Sequence, residues 1–233
     1  MTTPEPTPPV RGPAARGLRL VPVLLILTVV SGLIDAVSYL GLGRVFTSNM
    51  TGNVVVLGFA AAGAPGFSVS HTATSLVCFL LGAVAGGRLT ARRGARPRRT
   101  WTRLTLAGEA VLVAVSAVVA FVLADDGATG GTRYALIGIT AVAMGMRNAT
   151  VRKLNVPDLT TTVVTRTLTG LAAESLLGDG TGHRSPRRLA AVLAMAGGAW
   201  LGGWLVLHHG LGIALLIAAL VSGALAVVAS GRE

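Results

Sequence analysis

Gly32-Leu33-Ile34-Asp35-Ala36 stands in the first apolar stretch of the chain, and Gly145-Met146-Arg147-Asn148-Ala149 stands in a later one. The shared Gly-x-x-Asp/Asn-Ala phrase decides the fold, because the correspondence continues downstream. Met50-Thr51-Gly52-Asn53 is answered by Val164-Thr165-Arg166-Thr167, and Gly82 with Gly86-Gly87 is answered by Gly198 with Gly202-Gly203. Three anchors in one order, at separations drifting only from 113 to 116 residues, mark an internal duplication. Duplicated apolar halves are a pattern of membrane transporters, whose solute sites lie where the repeats meet.

Composition agrees with a bilayer protein. Of 233 residues, 52% are hydrophobic and 12% charged, against about 25% charged in soluble domains. Arg and Lys are bunched in short segments between apolar runs, so they do not build a solvated surface. The net charge of +11 does not indicate nucleic acid, since aromatic residues are only 4% and the basic residues sit where cytoplasmic loops would fall. Cys78 is the single cysteine and lies in an apolar run, which excludes an intrachain disulfide and a cysteine-based metal site. His183, His208 and His209 have no acidic or cysteine partner at ligand spacing, so no metal and no cofactor is expected. Nucleophile elbows, phosphate-cradling loops and zinc-protease helices are all missing, and an enzyme is not expected. Residues 1–19 read as a disordered cytoplasmic tail, the first 17 being proline-rich with Arg11 and Arg16 and unable to bury a core.

The fold class expected is an all-α integral membrane protein with six transmembrane helices, two re-entrant or broken segments and an internal inverted repeat. About 20 apolar residues cross a bilayer, and the segments 20–42, 70–90, 102–124, 132–151, 188–207 and 210–230 meet that requirement. Segments 46–62 and 158–177 are short or studded with polar side chains. Loop charge favours re-entry for both: with eight crossings, the arginines between 88 and 103 and the Arg152-Lys153 pair would fall outside. With six, those clusters and both termini lie in the cytoplasm, leaving Arg44 and Arg133 outside beside Asp125 and Asp126. Three crossings per half turn the second copy upside down, so residues 20–124 and 131–230 form two membrane repeats of opposite orientation in the inner membrane. Their polar segments would converge near the midplane, where irregular backbone is tolerated only against protein or a watery cavity.

Asp35 carries the highest energetic cost in this setting, since a carboxylate within a span costs several kcal/mol unless paired or protonated. Ser31 and Ser38 share its helical stripe. It reads either as a cation- or proton-binding group or as a packing residue that bonds Ser and re-entrant backbone. Asn148 keeps its shape without its charge. The run Ser48-Asn49-Met50-Thr51-Gly52-Asn53 has the composition of a helix start, and residues 160–169 offer a hydroxyl-rich counterpart. Asn49, Thr51, Asn53, Thr161, Thr165 and Thr167 therefore join Asp35 and Asn148 as candidate solute-binding residues, with backbone satisfaction at the helix breaks as the competing role. Glu109 is placed near Arg103 or a cavity, and Arg166 and Glu174 are two turns apart on one face. Gly82-x-x-x-Gly86 and Gly198-x-x-x-Gly202 permit close helix approach within a subunit or between copies, so a homo-oligomer stays open. Membrane lipids are the expected surroundings, and the arginine-rich loop 88–103 suits anionic headgroups. A small molecule or ion is the expected substrate, and a non-transporting protein that binds lipid or a partner is the alternative.

The phrases GLIDAVSYLGLG (32–43), VFTSNMTGNVVVLG (45–58), MGMRNATVR (144–152) and VPDLTTTVVTRTLTGL (156–171) resemble the YoaK family of bacterial multipass membrane proteins of unknown function. The resemblance runs over roughly residues 20–230. It implies a multipass membrane fold and no particular substrate. Arg147 departs from the glutamine often found there in the family, and Arg166 from a glycine. If these positions line a path, the resemblance implies a more anionic solute for this chain.

Overall fold

The computed structural model describes residues 20–92, 98–123, 130–154, 164–174 and 185–229. The N-terminal tail, the centre of the arginine-rich loop, Asp125, Asp126 and Thr161 lie outside them. Among the described residues the helices are, in chain order, α1 (Leu20–Gly41), α2 (Met50–Ala61), α3 (Val69–Arg92), α4 (Arg98–Leu123), α5 (Gly130–Leu154), α6 (Val164–Ala173) and α7 (Ser185–Val228).

Burial separates a central helix from peripheral ones. Helix α1 is apolar almost all round, and Val23, Leu24, Leu27, Val30, Leu33, Ile34 and Val37 are all buried. An all-round apolar helix belongs inside a bundle. Helices α3 and α4 instead leave one stripe uncovered: Val77, Leu80, Leu81 and Val84 on the first, and Val111, Val115, Val118 and Val122 on the second. These sit at helical spacing on faces that no other element packs against, which is the arrangement for contact with lipid chains. Trp200, Trp204 and Leu207 of α7 are exposed in the same way.

Among the described residues, four helices are long and apolar enough to cross a membrane: Leu20–Gly41, Val69–Ala91, Arg99–Leu123 and Pro186–Val228. The sequence expectation was six, and the difference has two causes. The last two expected spans fall together in the stretch Pro186–Val228, yet α7 is two helical arms that meet directly at Gly210 (φ 80°, ψ 176°), a backbone state that glycine adopts freely. Helix α5 carries Arg133, Arg147, Arg152 and Lys153, which lower its hydropathy. Segment 46–62 is resolved into an irregular stretch ahead of the 12-residue helix α2, and of segment 158–177 the 10-residue α6 is described.

The two halves interlock. Helix α1 packs chiefly on α7, α3 on α5, and α4 on both α5 and α7. The first two contacts are built from equivalent residues. A Cβ on Gly32 would collide with Met195 O and lie 2.8 Å from Ala199 N; a Cβ on Gly145 would collide with Phe79 O and lie 2.8 Å from Ala83 N. Likewise Gly198 abuts Val29 O as Gly82 abuts Val142 O, and Gly202 meets Leu33 and Ala36 as Gly86 meets Met146 and Ala149. Both Gly-x-x-x-Gly pairs thus serve contacts inside one subunit, where missing side chains let backbones touch.

Candidate functional site

The first helix break is organised by Asp35. Its Oδ1 accepts hydrogen bonds from the backbone N–H groups of Ser48 (2.8 Å) and Thr47 (3.2 Å), while Oδ2 is buried and accepts none. The side chain is only 4% exposed. Serine neighbours do not share the carboxylate as their spacing suggested: Ser38 Oγ donates to the Asp35 carbonyl at 3.1 Å, and Ser31 turns to Arg147. Two N–H groups at a carboxylate satisfy backbone that leaves the helical ladder after Gly41, which otherwise would be orphaned in an apolar setting.

Asn53, fully buried, holds the other side of the same turn. Its Oδ1 accepts from Phe46 N at 2.9 Å, and its Nδ2 donates to Phe46 O at 2.6 Å and to Ser75 Oγ at 3.0 Å. Ser75 in turn donates to Phe46 O at 2.6 Å. The amide thus clamps one residue of irregular backbone between α2 and α3, and its polar atoms are committed there. Asn49 caps α2 by accepting from Gly52 N at 3.4 Å, as its position in the sequence suggested.

Asn49 and Thr51 face open space that reaches the other half. Asn49, Thr51, Gly52 and Val55 of the first half and Val164, Thr165 and Met195 of the second line one cavity of about 290 Å³. A neighbouring cavity of about 310 Å³ shares Asn49 and Met195 with it and is lined by Asp35, Ala36, Tyr39, Leu40 and Phe46. Five expected site residues are therefore drawn to one region: Asp35, Asn49, Thr51 and Thr165 on cavity walls, and Asn53 in the turn behind them. Thr167 is buried on α6, and Asn148 Nδ2 donates to Met144 O at 2.9 Å within its own helix.

The most elaborate polar cluster lies elsewhere. Arg147 of α5, 1% exposed, donates through Nε to Glu109 Oε2 at 2.8 Å and through Nη2 to Glu109 Oε1. Its Nη1 donates to Leu27 O at 3.0 Å and to Ser31 Oγ at 2.9 Å, and Nη2 also reaches Ser222 Oγ at 3.3 Å. Ser222 Oγ completes the ring by donating to Glu109 Oε1 at 2.8 Å. Helices α1, α4, α5 and α7 each contribute to this bidentate pair, whose fork geometry suits guanidinium and carboxylate. Arg147 therefore lies away from both cavities with its charge compensated, and Glu109 is bound to it rather than to the turn of Arg103. Arg103 Nε donates instead to Ala229 O at 2.9 Å. Sequence reasoning treated Glu109 and Arg147 separately. The available signal was that each is a lone charge in an apolar helix and needs an opposite one. Glu174, kept apart from Arg166 in the sequence analysis, pairs with Arg188 at 2.6 Å.

No solved structure matches the chain. A transmembrane protein, YoaK of Bacillus subtilis (strain 168), is 32% identical over 152 residues, covering 64% of this chain and 64% of that protein. The match thus spans a little under two thirds of the relative's length. The family described as "Protein of unknown function (DUF1275)" matches residues 23–228. With that match covering nearly all of the helical region, and with a named transmembrane relative beside it, the chain belongs to the YoaK-type DUF1275 family of membrane proteins.

Proposed function

We propose that the chain is a six-span inner-membrane protein whose two inverted halves enclose a path for a small solute. One observation carries this reading: short helices from different halves bring Asn49, Thr51 and Thr165 around a single cavity, which adjoins a second one beside Asp35. Helix breaks at the meeting of two repeats are where transporters bind solute. The six-span count is supported by α7, which Gly210 divides into two arms, each suited to one crossing of the bilayer. Support for α5 as a span comes from its charges, since Arg147 is neutralised by Glu109 while Arg133 and the Arg152-Lys153 pair sit in its terminal turns and can reach the interface. The equivalent contacts of α1 on α7 and α5 on α3 are those expected of halves related by a two-fold axis. The arginine-rich segments support a cytoplasmic position for both termini.

Labelling tests this. In a Cys78→Ser background, Thr51→Cys and Thr165→Cys react with a water-soluble maleimide in intact membranes; failure of both to react means a dry cleft and overturns the path. Ser48→Cys and Thr161→Cys label from opposite sides, and labelling from the same side overturns the inverted arrangement.

A second reading has its own support. Asp35 and Asn53 are bonded to the backbone of residues 46–48, as expected of polar side chains that serve packing in a membrane protein binding lipid or a protein partner. Asp35→Asn separates the two readings. An amide keeps an oxygen for Ser48 and Thr47, so a packing role leaves expression and melting nearly unchanged, whereas a charge-dependent path loses solute flux with the fold intact.

A further inference from the structure

A third cavity, about 590 Å³, is lined by Tyr39, Leu40, Gly41, Gly43, Arg44, Gly66 and Arg133. Tyr39 and Leu40 also line the cavity beside Asp35, so the two spaces adjoin. Among the described residues no carboxylate lines this one, and neither arginine has a carboxylate partner. Arg44 and Arg133 come from segments far apart in sequence and of different halves, which makes their convergence a property of the fold.

Both guanidiniums are positioned. Arg44 has a left-handed backbone (φ 58°), which is unfavourable for a side chain with a Cβ. Its guanidinium lies over the Phe67 ring at 5.5 Å from the centroid and against Gly66, where an added Cβ would come within 2.8 Å of Nη1. Such a contact holds the cation while leaving its N–H edge free. Arg133 Nε is buried and has no hydrogen-bond partner. Gly43 (φ 93°) brings the chain close to Arg133 and His71: an added Cβ would lie 3.0 Å from His71 Nδ1 and 3.7 Å from Arg133 Cδ. An unsatisfied buried guanidinium nitrogen is costly unless a ligand completes it.

We infer that Arg44 and Arg133 form an oxyanion-binding site, taking a phosphate or carboxylate group, at the mouth of the cleft between the halves. Two guanidiniums with no opposing carboxylate among the described residues suit an oxyanion, since each can donate in a planar fork. The binding site stands on the two arginines alone; its role as the entrance for an anionic solute rests on the transport reading above. The same chemistry is offered by a free anion and by a lipid phosphate.

The test is isothermal titration of inorganic phosphate into the full-length protein in phosphatidylcholine nanodiscs, with native mass spectrometry of the protein in phosphatidylglycerol nanodiscs as the second arm. Phosphate binding that weakens at least tenfold in Arg133→Gln and in Arg44→Gly supports the site with a free anion as ligand. Retained phosphatidylglycerol that is lost in both variants supports it with a lipid as ligand. Arg44→Gly relieves the left-handed backbone, so loss of binding in that variant at an unchanged melting temperature is not misfolding. Absence of binding in both arms, or binding that both variants retain, overturns the inference. Phosphate binding by a protein whose Thr51→Cys and Thr165→Cys forms both resist labelling leaves this site standing and removes the transport reading.

Discussion

Replacing Glu109 by glutamine tests whether the four-helix cluster holds the bundle together. The substitution keeps the side chain's size but removes the charge that faces Arg147 through two donated hydrogen bonds. Arg147 would keep Leu27 O, Ser31 and Ser222 as partners, yet its charge would be buried without compensation. Breaking a buried ion pair on one side costs about 3–5 kcal/mol in soluble proteins. In a bilayer the unfolded chain also finds polar partners, which lowers such values. The low end of that range, about 3 kcal/mol, is therefore expected, or roughly a hundredfold in the folded-to-unfolded ratio. The assay is unfolding by sodium dodecyl sulfate followed through tryptophan fluorescence, with Arg147→Gln and the double variant completing a cycle. Arg147→Gln alone strands Glu109 with only Ser222 and should lose a similar amount, whereas the double variant should regain most of the loss. Single variants within about 0.5 kcal/mol of the parent, a size usual for substitutions away from any such feature, or a double variant equal to the sum of the singles, would refute the reasoning.

Gly32→Ala and Gly145→Ala should each destabilise by about 1–3 kcal/mol, because both added methyl groups collide with backbone of the facing helix. Gly87→Ala and Gly197→Ala, where nothing lies within 4 Å, should change the same unfolding midpoint little; equal effects in all four would show that the close approaches are not what matters. Asn53→Ala orphans Phe46 N, an expected loss of about 1–3 kcal/mol, visible as protease cleavage in the 42–49 stretch of detergent-solubilised protein that the parent resists.

The glycines of close helix approach were legible, although whether they join helices of one subunit or of two copies was not. Close backbone approach needs the missing Cβ, so Gly32, Gly82, Gly145 and Gly198 stand at corresponding positions that a reader can align. Helix starts were legible for a similar local reason: Asn49 announces a cap within three residues of the N–H it accepts. The Glu109–Arg147 pair was not, since 38 residues and an unknown helix arrangement separate its members. Sequence proximity instead drew Glu109 toward Arg103. The break at Gly210 was legible as well, since glycine beside His208 and His209 between two apolar runs signals a turn, although one residue outside helical geometry suffices there. Arg44 and Arg133 were read as exceptions to a charge rule, and their shared cavity depends on the turn at Gly43 and Gly66 that no spacing reveals.

The repeated phrase itself explains how one scaffold came to hold two unlike polar centres. Its third position, Ile34 in the first copy and Arg147 in the second, is buried in the helix bundle in both. An apolar side chain suits that place directly, but an arginine there requires a carboxylate within reach, and Glu109 supplies it from α4. The fourth position, Asp35, turns instead toward the irregular backbone of its own half and accepts from Thr47 and Ser48. The third position thus points into the bundle in both copies, while the residue chosen decides what it does there. A charge at the third position is enclosed by four helices and locked into packing. At the fourth position it borders a cavity and retains an oxygen without a hydrogen bond. Of the two carboxylates buried among the described residues, Asp35 is consequently the one with both an unfilled acceptor and a cavity beside it. Glu109, for all its burial and bonding, has neither.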